Sequence, residues 1–348
     1  MGFLILVVQN SNMNKLSNKL HKALSRPVFN QSRPVNANHP STASISLSDR
    51  TVGECLRKLF YQYLNISPSN AGEIDWKLAA LMGDSFHELA VDLIVKHGYM
   101  MGLQVIGKEQ SFYDEQYNIS GRVDIIAHDI ESNEVVGIEV KSVGEYKAKY
   151  TMEMPDETHI LQAMIYLDWY DKHTAANCSK IKKWYIWYIA RAEGWALKSK
   201  KHGSPFTQMW DFCIELEDGS PVIHSAAGIK KLSEFHISKI YERYAQLDVY
   251  KQELELPPRD YELKYSEEKI LGLYRLEKLE FKKDIEVVEK WIKKGTKEGA
   301  LKLEMGDIEC RFCPYNKTCW ENFDSGKVSK SFVEFKKHKN NTKYDDSL

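Results

Sequence analysis

A polar turn between two apolar, β-branched segments is the feature that most constrains the fold of this chain. The segments cover residues 119–127 and 135–143, and the residues between them include Asp, Glu, Ser and Asn. Runs of this length and composition, bounded by turn-forming residues, are typical of a β-hairpin. The chain is therefore expected to build at least one sheet around this hairpin.

Three charged residues, Asp124, Glu139 and Lys141, lie within these apolar strands. A charged group in such a strand is costly unless it pairs with another charge or binds an ion. Carboxylates on adjacent strands can share a divalent cation, and Lys141 shares a face with Glu139 because side chains alternate along a strand. An ammonium group beside such an ion can orient a water molecule and stabilise a phosphate under attack.

The spacing of Glu139 and Lys141 carries little information by itself. The same Glu-x-Lys triplet begins at five other positions, which are Glu145, Glu262, Glu267, Glu280 and Glu334. Only Glu139 lies in an apolar strand that follows a strand with an inward Asp. On these residues alone, a surface hairpin with a solvated Glu–Lys pair is an equal alternative.

Composition sets broad limits on the fold and the partners. The chain has 348 residues, 43% of them hydrophobic, and a formal net charge of −1. It can bury a core, and any contact with a polyanion must come from local patches. The apolar segment at 3–8 is too short to cross a membrane, so we expect a soluble, intracellular protein without membrane contacts. We expect a disordered arm at 1–45 and a polar tail at 326–348.

Hydrophobic periodicity predicts two helices before the hairpin. The first runs from Ser46 or Ser48, as the N-cap, to about residue 64. The second covers about 73–97 and contains His87. A lone histidine in a helix is most often a partly buried, hydrogen-bonded side chain, so His87 by itself does not indicate a metal site.

The remaining predicted elements are strands near 103–113, at 181–190 and near 206–216, and helices at 156–173, 226–251 and 266–294. Gln162 and Tyr166 are four residues apart and project from one face of their helix. They are either an ordinary amphipathic pair or groups that hold a phosphate or a base. The strand at 181–190 is rich in Trp and Tyr, which can stack on bases, although aromatic residues on both faces favour a buried strand.

Three of the six cysteines, Cys310, Cys313 and Cys319, have the spacing C-x2-C-x5-C. Thiolate ligation of a metal fits a long chain without secretory features better than disulfides do. Structural zinc sites usually take two CxxC-like pairs, whereas three clustered cysteines and a distant fourth better suit an iron–sulfur cluster. The candidates for the fourth ligand are the other three cysteines, Cys55, Cys178 and Cys213.

Together, these motifs resemble the iron–sulfur branch of the RecB-type PD-(D/E)XK nucleases, which includes CRISPR-associated RecB-like exonucleases and AddB-type nuclease subunits. The matching segments, in order, are SISLSDRTVGEC, GDSFH, GRVD, IEVKS, QAMIY and CRFCPYNKTC, and they span about residues 46–320. Val123 replaces the proline that names the superfamily, and Leu56 replaces a proline that often follows the first cysteine. Neither change removes a functional atom.

The resemblance implies a restriction-endonuclease-like α/β core at 46–216, with a central mixed sheet flanked by helices. A C-terminal helical region at 217–325 would be closed by a four-cysteine cluster. The resemblance makes Cys55 the fourth ligand of a 4Fe-4S cluster and zinc the less suitable metal.

The resemblance also implies four ligands for Mg²⁺ or Mn²⁺, namely His87, Asp124, Glu139 and the Val140 carbonyl. Lys141 would position the attacking water, and Gln162 and Tyr166 would hold the DNA strand. The products would carry 5′-phosphates.

Three functions are compatible with this resemblance. The first is an exonuclease that acts on single-stranded DNA or DNA ends. The second is a structure-specific endonuclease, or a nuclease with protein partners in a repair, replication or adaptation complex. The third is a DNA-binding scaffold that carries the cluster without catalysis. The intact His, Asp, Glu and Lys set favours the two nucleases.

Overall fold

The computed structural model describes most of the chain between residues 37 and 320. The described residues are 37–66, 68–69, 74–175, 179–191, 208–279, 281–295, 301 and 303–320, without the side chains of 74–80. The polar tail, Cys178 and residues 1–36 of the predicted arm lie outside them. Residues 37–45 are ordered and not part of a disordered arm. Both the backbone N–H and the backbone carbonyl of Asn38 are hydrogen-bonded to the chain at the start of the strand that begins at Ile119.

Nine strands lie within the described residues: β1 Ser44–Ser46, β2 Thr51–Gly53, β3 Leu103–Asp114, β4 Ile119–Asp129, β5 Glu134–Val143, β6 Lys183–Ala190, β7 Met209–Glu217, β8 Ser220–Ser225 and β9 Gly228–Lys231. Strands β3 to β9 form a central sheet in sequence order, and β1 and β2 form a separate pair. All neighbours in the central sheet are antiparallel except β5 and β6, which are parallel. A parallel pair needs a long crossover, and two helices provide it here.

The helices of the described residues are α1 Leu56–Tyr63, α2 Ile74–His97, α3 Glu145–Thr151, α4 Glu157–His173, α5 Ile237–Glu253, α6 Glu267–Arg275, α7 Lys282–Lys293, α8 Ile308–Arg311 and α9 Asn316–Trp320. Helix α2 packs apolar side chains against β4 and β5 on one face of the sheet. Helices α4 and α5 cover the opposite face. The predicted α/β fold with a central mixed sheet flanked by helices is therefore confirmed. Among these helices, none combines the length and apolarity needed to span a bilayer.

The aromatic strand β6 is part of the core. Trp184 and Tyr188 are fully buried towards α4, while Tyr185 and Trp187 are partly buried on the α2 side. Because both faces of the strand are packed, the structure favours a buried strand over a base-stacking surface at these positions.

The predicted helix from Ser46 or Ser48 is wrong in its first half. Residues 44–53 form the antiparallel hairpin of β1 and β2, and Gly53 has a φ of +96°, which a right-handed helix does not allow. The helix begins only at Leu56, whose backbone N–H donates to Asp260 Oδ2 at 2.8 Å. A distant carboxylate therefore caps α1 instead of a local serine.

Two C-terminal helices are also shorter than predicted. The helix expected at 226–251 begins at Ile237, because residues 228–231 pair with β8 as β9. The helix expected at 266–294 is divided into α6 and α7, and Glu277 between them has a φ of +57°. Local charge and hydrophobic periodicity did not reveal these breaks.

Helix α1 packs against α5 and against the C-terminal end of the described chain. Its buried residue Phe60 lies in one apolar cluster with Leu247 of α5 and with Tyr315 and Cys319 near the C-terminal end. The capping residue Asp260 also forms a buried ion pair with an arginine of α5, with 2.7 Å between the charged atoms. The C-terminal region therefore packs against the first helix.

Candidate metal and catalytic site

The candidate site begins where β4 and β5 stop pairing. Ile125 and Ile138 are the last residues of the ladder on this side. Beyond them, Asp124 Oδ2 accepts a hydrogen bond from the backbone N–H of Val140 at 2.8 Å. The Asp124 carboxylate thus accepts the hydrogen bond that a backbone carbonyl of the neighbouring strand would otherwise accept. It is buried between the two strands.

His87 reaches the same point from α2. Its Nε2 lies 3.4 Å from Asp124 Oδ1, and its Nδ1 donates to the Val140 carbonyl at 3.2 Å. The contact with Asp124 is the main cause that raises the pKa of His87 to about 9. The Val140 carbonyl, predicted as a metal ligand, here orients the imidazole, which must lose its proton to bind a metal through Nε2.

A further carboxylate, Glu109, joins this group and was missed in the sequence. Lys108 pairs with Ile125 and Gln110 with Val123, so Glu109 lies opposite Asp124. The ligand atoms of His87, Glu109 and Asp124 all lie within 4.8 Å of one another. The backbone of Glu109 has a φ of +52°, an uncommon conformation for a residue other than glycine and one that often marks functional sites.

Glu139 and Lys141 form a hydrogen-bonded network with α4. Lys141 Nζ donates to Glu139 Oε1 at 2.7 Å and to Gln162 Oε1 at 2.8 Å. Gln162 Nε2 donates to Glu139 Oε1 at 2.8 Å and to the Tyr166 hydroxyl at 2.9 Å. The hydroxyl in turn donates to the Arg122 carbonyl at 3.2 Å. The predicted Glu139–Lys141 pair is therefore close, and α4 holds it in place.

The burial of Gln162 and Tyr166 does not support the predicted role of holding the DNA strand. Gln162 is 4% exposed and Tyr166 is fully buried. Because neither side chain presents its polar atoms to solvent, their contacts favour a positioning role behind Glu139 and Lys141. The helical spacing correctly placed the two residues on one face but did not tell whether that face is exposed.

The carboxylate of Glu139 is buried and only partly hydrogen-bonded by the described residues. It is 4% exposed, and its Oε2 has no hydrogen-bond partner among the described residues. Burial, followed by the negative charge of Asp124, raises the pKa of Glu139. It lies outside the 4.8 Å group of His87, Glu109 and Asp124. A divalent cation would relieve the crowding of these carboxylates, and the oxygen-rich donor set with one imidazole fits Mg²⁺ or Mn²⁺.

The second candidate site is a cavity of about 180 Å³ next to α1. Its walls include four cysteines, which are Cys55, Cys310, Cys313 and Cys319. Cys213 lies on β7, away from this cavity, and Cys178 is outside the described residues. Of the two candidates for the distant cysteine that the structure describes, Cys55 is therefore the one close to the C-terminal three.

Burial disfavours the thiolate form of at least two cysteines of this cavity. None of the described cysteines forms a disulfide, and burial raises the pKa of Cys55 to about 11 and that of Cys310 to about 12. Neutral buried thiols are poor nucleophiles, whereas a bound metal would deprotonate them. The raised pKa values therefore argue against a nucleophilic centre here, and the four cysteines are residues that could hold a metal.

Several N–H groups point at the sulfur atoms. Arg259 Nε lies 3.4 Å and Arg57 Nη1 3.8 Å from Cys319 Sγ, and the Tyr315 backbone N–H donates to Cys313 Sγ at 3.4 Å. Such donors stabilise negative charge on ligating thiolates. The residues around the cavity thus suit a site that carries net negative charge.

Comparison with known proteins does not establish a family. No family model and no curated protein matches the sequence. Among solved structures, the crystal structure of SSO0001 has a TM-score of 0.32 and 17% identity, covering 70% of this chain and 85% of that chain. Similarity at this level carries no argument about function, so the two sites have to be judged by their own chemistry.

Proposed function

We propose that this chain is a Mg²⁺- or Mn²⁺-dependent DNA nuclease of the RecB-type PD-(D/E)XK kind that also carries a structural iron–sulfur cluster. The main support is the convergence of His87 and the carboxylates of Glu109 and Asp124 beside the buried pair of Glu139 and Lys141. An imidazole, three acids and an amine can together bind a divalent cation and stabilise a phosphate under attack, as metal-assisted phosphodiester hydrolysis requires.

In this proposal some side chains bind the metal ion, and another interacts with the phosphate. His87, Asp124, Glu109 and Glu139 would hold a divalent cation, which would polarise the scissile phosphate and lower the pKa of the attacking water. Lys141 donates two of its three N–H groups to Glu139 and Gln162, which leaves one for a water molecule or a phosphate oxygen. Lys141 thus stabilises negative charge that grows on the phosphate.

In this proposal the cysteine cluster is structural. Cys55 immediately precedes α1, and the other three ligands lie in the C-terminal segment that packs on α1. A cluster bound to all four would join these distant parts of the chain and stabilise their contact.

The proposal is tested by digestion of end-labelled DNA, single- and double-stranded, linear and circular, with Mg²⁺, Mn²⁺ or a chelator. We expect cleavage only with a divalent cation. An exonuclease degrades the linear substrates and leaves the circles intact, whereas cleavage of the circles would favour the endonuclease alternative. If neither cation supports cleavage of any of these substrates by the cluster-containing protein, the proposal is wrong.

Gln162→Leu is expected to lower kcat for DNA cleavage by about 10- to 100-fold and to leave KM unchanged, because the buried amide positions Glu139 and Lys141 without touching DNA. Tyr166→Phe, which keeps the buried ring and removes only the hydroxyl, should have a smaller effect of the same kind. Steady-state kinetics with labelled single-stranded DNA measure both constants. A raised KM with an unchanged kcat would instead support the role of holding the strand that the sequence suggested.

A further inference from the structure

Helix α3 exposes two tyrosines side by side. Tyr146 and Tyr150 are each 59% exposed, their ring centroids are 5.0 Å apart, and their hydroxyls are 3.2 Å apart. On the other side of this short helix, Ala148 and Thr151 are buried. The helix is therefore anchored to the core and presents a pair of aromatic rings to solvent.

This helix is next to the proposed cleavage site. It begins just after β5, the strand that carries Glu139 and Lys141. Lys147 of α3 pairs with Asp156, the N-cap of α4, at 2.9 Å. Helix α3 is thus held against the helix that positions Lys141.

A groove beside the tyrosine pair is large enough for part of a nucleic-acid strand. It has a volume of about 500 Å³ and is lined by Tyr150, by Lys147 and by residues of the β1–β2 hairpin, and ligand sites commonly range from about 300 to 1,000 Å³. Its charges are largely matched, since Arg50 donates to both oxygens of Glu157 at 2.6 and 2.8 Å. Recognition in this groove would depend on stacking more than on phosphate charge.

We propose that Tyr146 and Tyr150 form a stacking surface for unpaired bases of single-stranded DNA on its way to the cleavage site. Unpaired bases present their faces to aromatic side chains, whereas bases in a duplex are already stacked on one another. The surface would therefore select single strands or frayed ends over an intact duplex. This inference rests on the proposed nuclease function and adds the strand preference of the same site.

The test compares the Tyr146→Ala/Tyr150→Ala double variant with Tyr146→Phe/Tyr150→Phe, which keeps both rings. Tyr99→Ala is the matched control, because Tyr99 is 82% exposed and lies outside α3. Binding of a fluorescent oligo(dT) of about 12 nucleotides and of a blunt duplex of the same length is measured in a chelator, so that no cleavage occurs.

We expect the alanine double variant to bind oligo(dT) about tenfold more weakly than the parent, with duplex binding unchanged. The phenylalanine double variant and Tyr99→Ala should bind like the parent. Because stacking is not a charge effect, the tenfold difference should persist when the salt concentration is raised from about 0.05 to about 0.3 M.

The inference fails if the alanine double variant binds oligo(dT) like the parent, if the phenylalanine variant loses as much affinity, or if duplex binding falls equally. It also fails if the parent does not bind oligo(dT). These results are independent of cleavage, so a protein that binds through the tyrosines but never cuts DNA would contradict the nuclease proposal and leave the stacking surface intact.

Discussion

Lys141→Ala is expected to lower the rate of DNA cleavage by about 100- to 1,000-fold while DNA binding stays within about twofold. The Lys141 ammonium is held by Glu139 Oε1 and Gln162 Oε1, so its remaining N–H is fixed beside the carboxylates. Its removal would take away a preorganised positive charge from the phosphate under attack. The measurement is single-turnover cleavage of labelled single-stranded DNA at saturating enzyme, with affinity determined separately in a chelator.

Asp124→Asn is expected to cause a loss of similar size by a different route. The amide oxygen can still accept the hydrogen bond from the Val140 backbone N–H, but the negative charge for the cation is lost. We therefore expect weaker Mn²⁺ binding by calorimetry together with the loss of cleavage. Lys141→Ala should leave Mn²⁺ binding largely intact, and this contrast separates the two roles.

The chain offers a matched control for the lysine. Lys264 follows Glu262 in the same Glu-x-Lys triplet but is exposed and far from β5 in the sequence. Lys264→Ala should cleave DNA like the parent. Thermal unfolding is used to verify that the Lys141→Ala and Asp124→Asn variants are folded. If both folded variants also cleave DNA like the parent, the nuclease proposal has to be abandoned.

Cys319→Ser is expected to remove the iron–sulfur cluster and destabilise the protein. Cys319 is buried in the cluster of side chains that joins α1 to the C-terminal segment, and its Sγ lies close to two arginines. A group that binds only the folded state adds about 4 kcal/mol when present at about a thousand times its Kd. Loss of the cluster should lower the midpoint of thermal unfolding by about 5–10 °C.

The protein is purified anaerobically, and its iron content, its sulfide content and its absorbance at about 400 nm are measured. Cys213→Ser is the matched control, since Cys213 lies on β7 outside the cysteine cavity, and it should retain iron and sulfide. Stoichiometric zinc without sulfide in the parent would contradict the cluster, as would a Cys319→Ser protein that keeps the iron and sulfide of the parent.

Elements with strong local periodicity were predicted well from the sequence. The hairpin of β4 and β5, helix α2 and helix α4 have nearly the predicted bounds. The β1–β2 hairpin was predicted as helix, and β8 and β9 were missed. These strands are short, and their formation depends on neighbours and on a backbone conformation, as at Gly53, that periodicity does not reveal.

The candidate site shows the same division between local and distant information. Asp124, Glu139 and Lys141 stood out because charge is unusual in apolar strands. Glu109 did not, because only the register of β3 against β4 places it opposite Asp124. Gln162 and Tyr166 were found as a pair, but their burial, and with it their positioning role, depends on how α4 packs on the sheet.

The sequence alone determined which reactive groups this protein has and which of them lie on apolar strands or amphipathic helices, because alternation and helical periodicity are properties of neighbouring residues. Only the tertiary structure decided which distant groups meet. It brought Glu109 to His87 and Asp124, and it brought Cys55 rather than Cys213 to the C-terminal cysteines. Such meetings depend on strand register and on the packing of helices far apart in the chain, which local residue patterns do not specify.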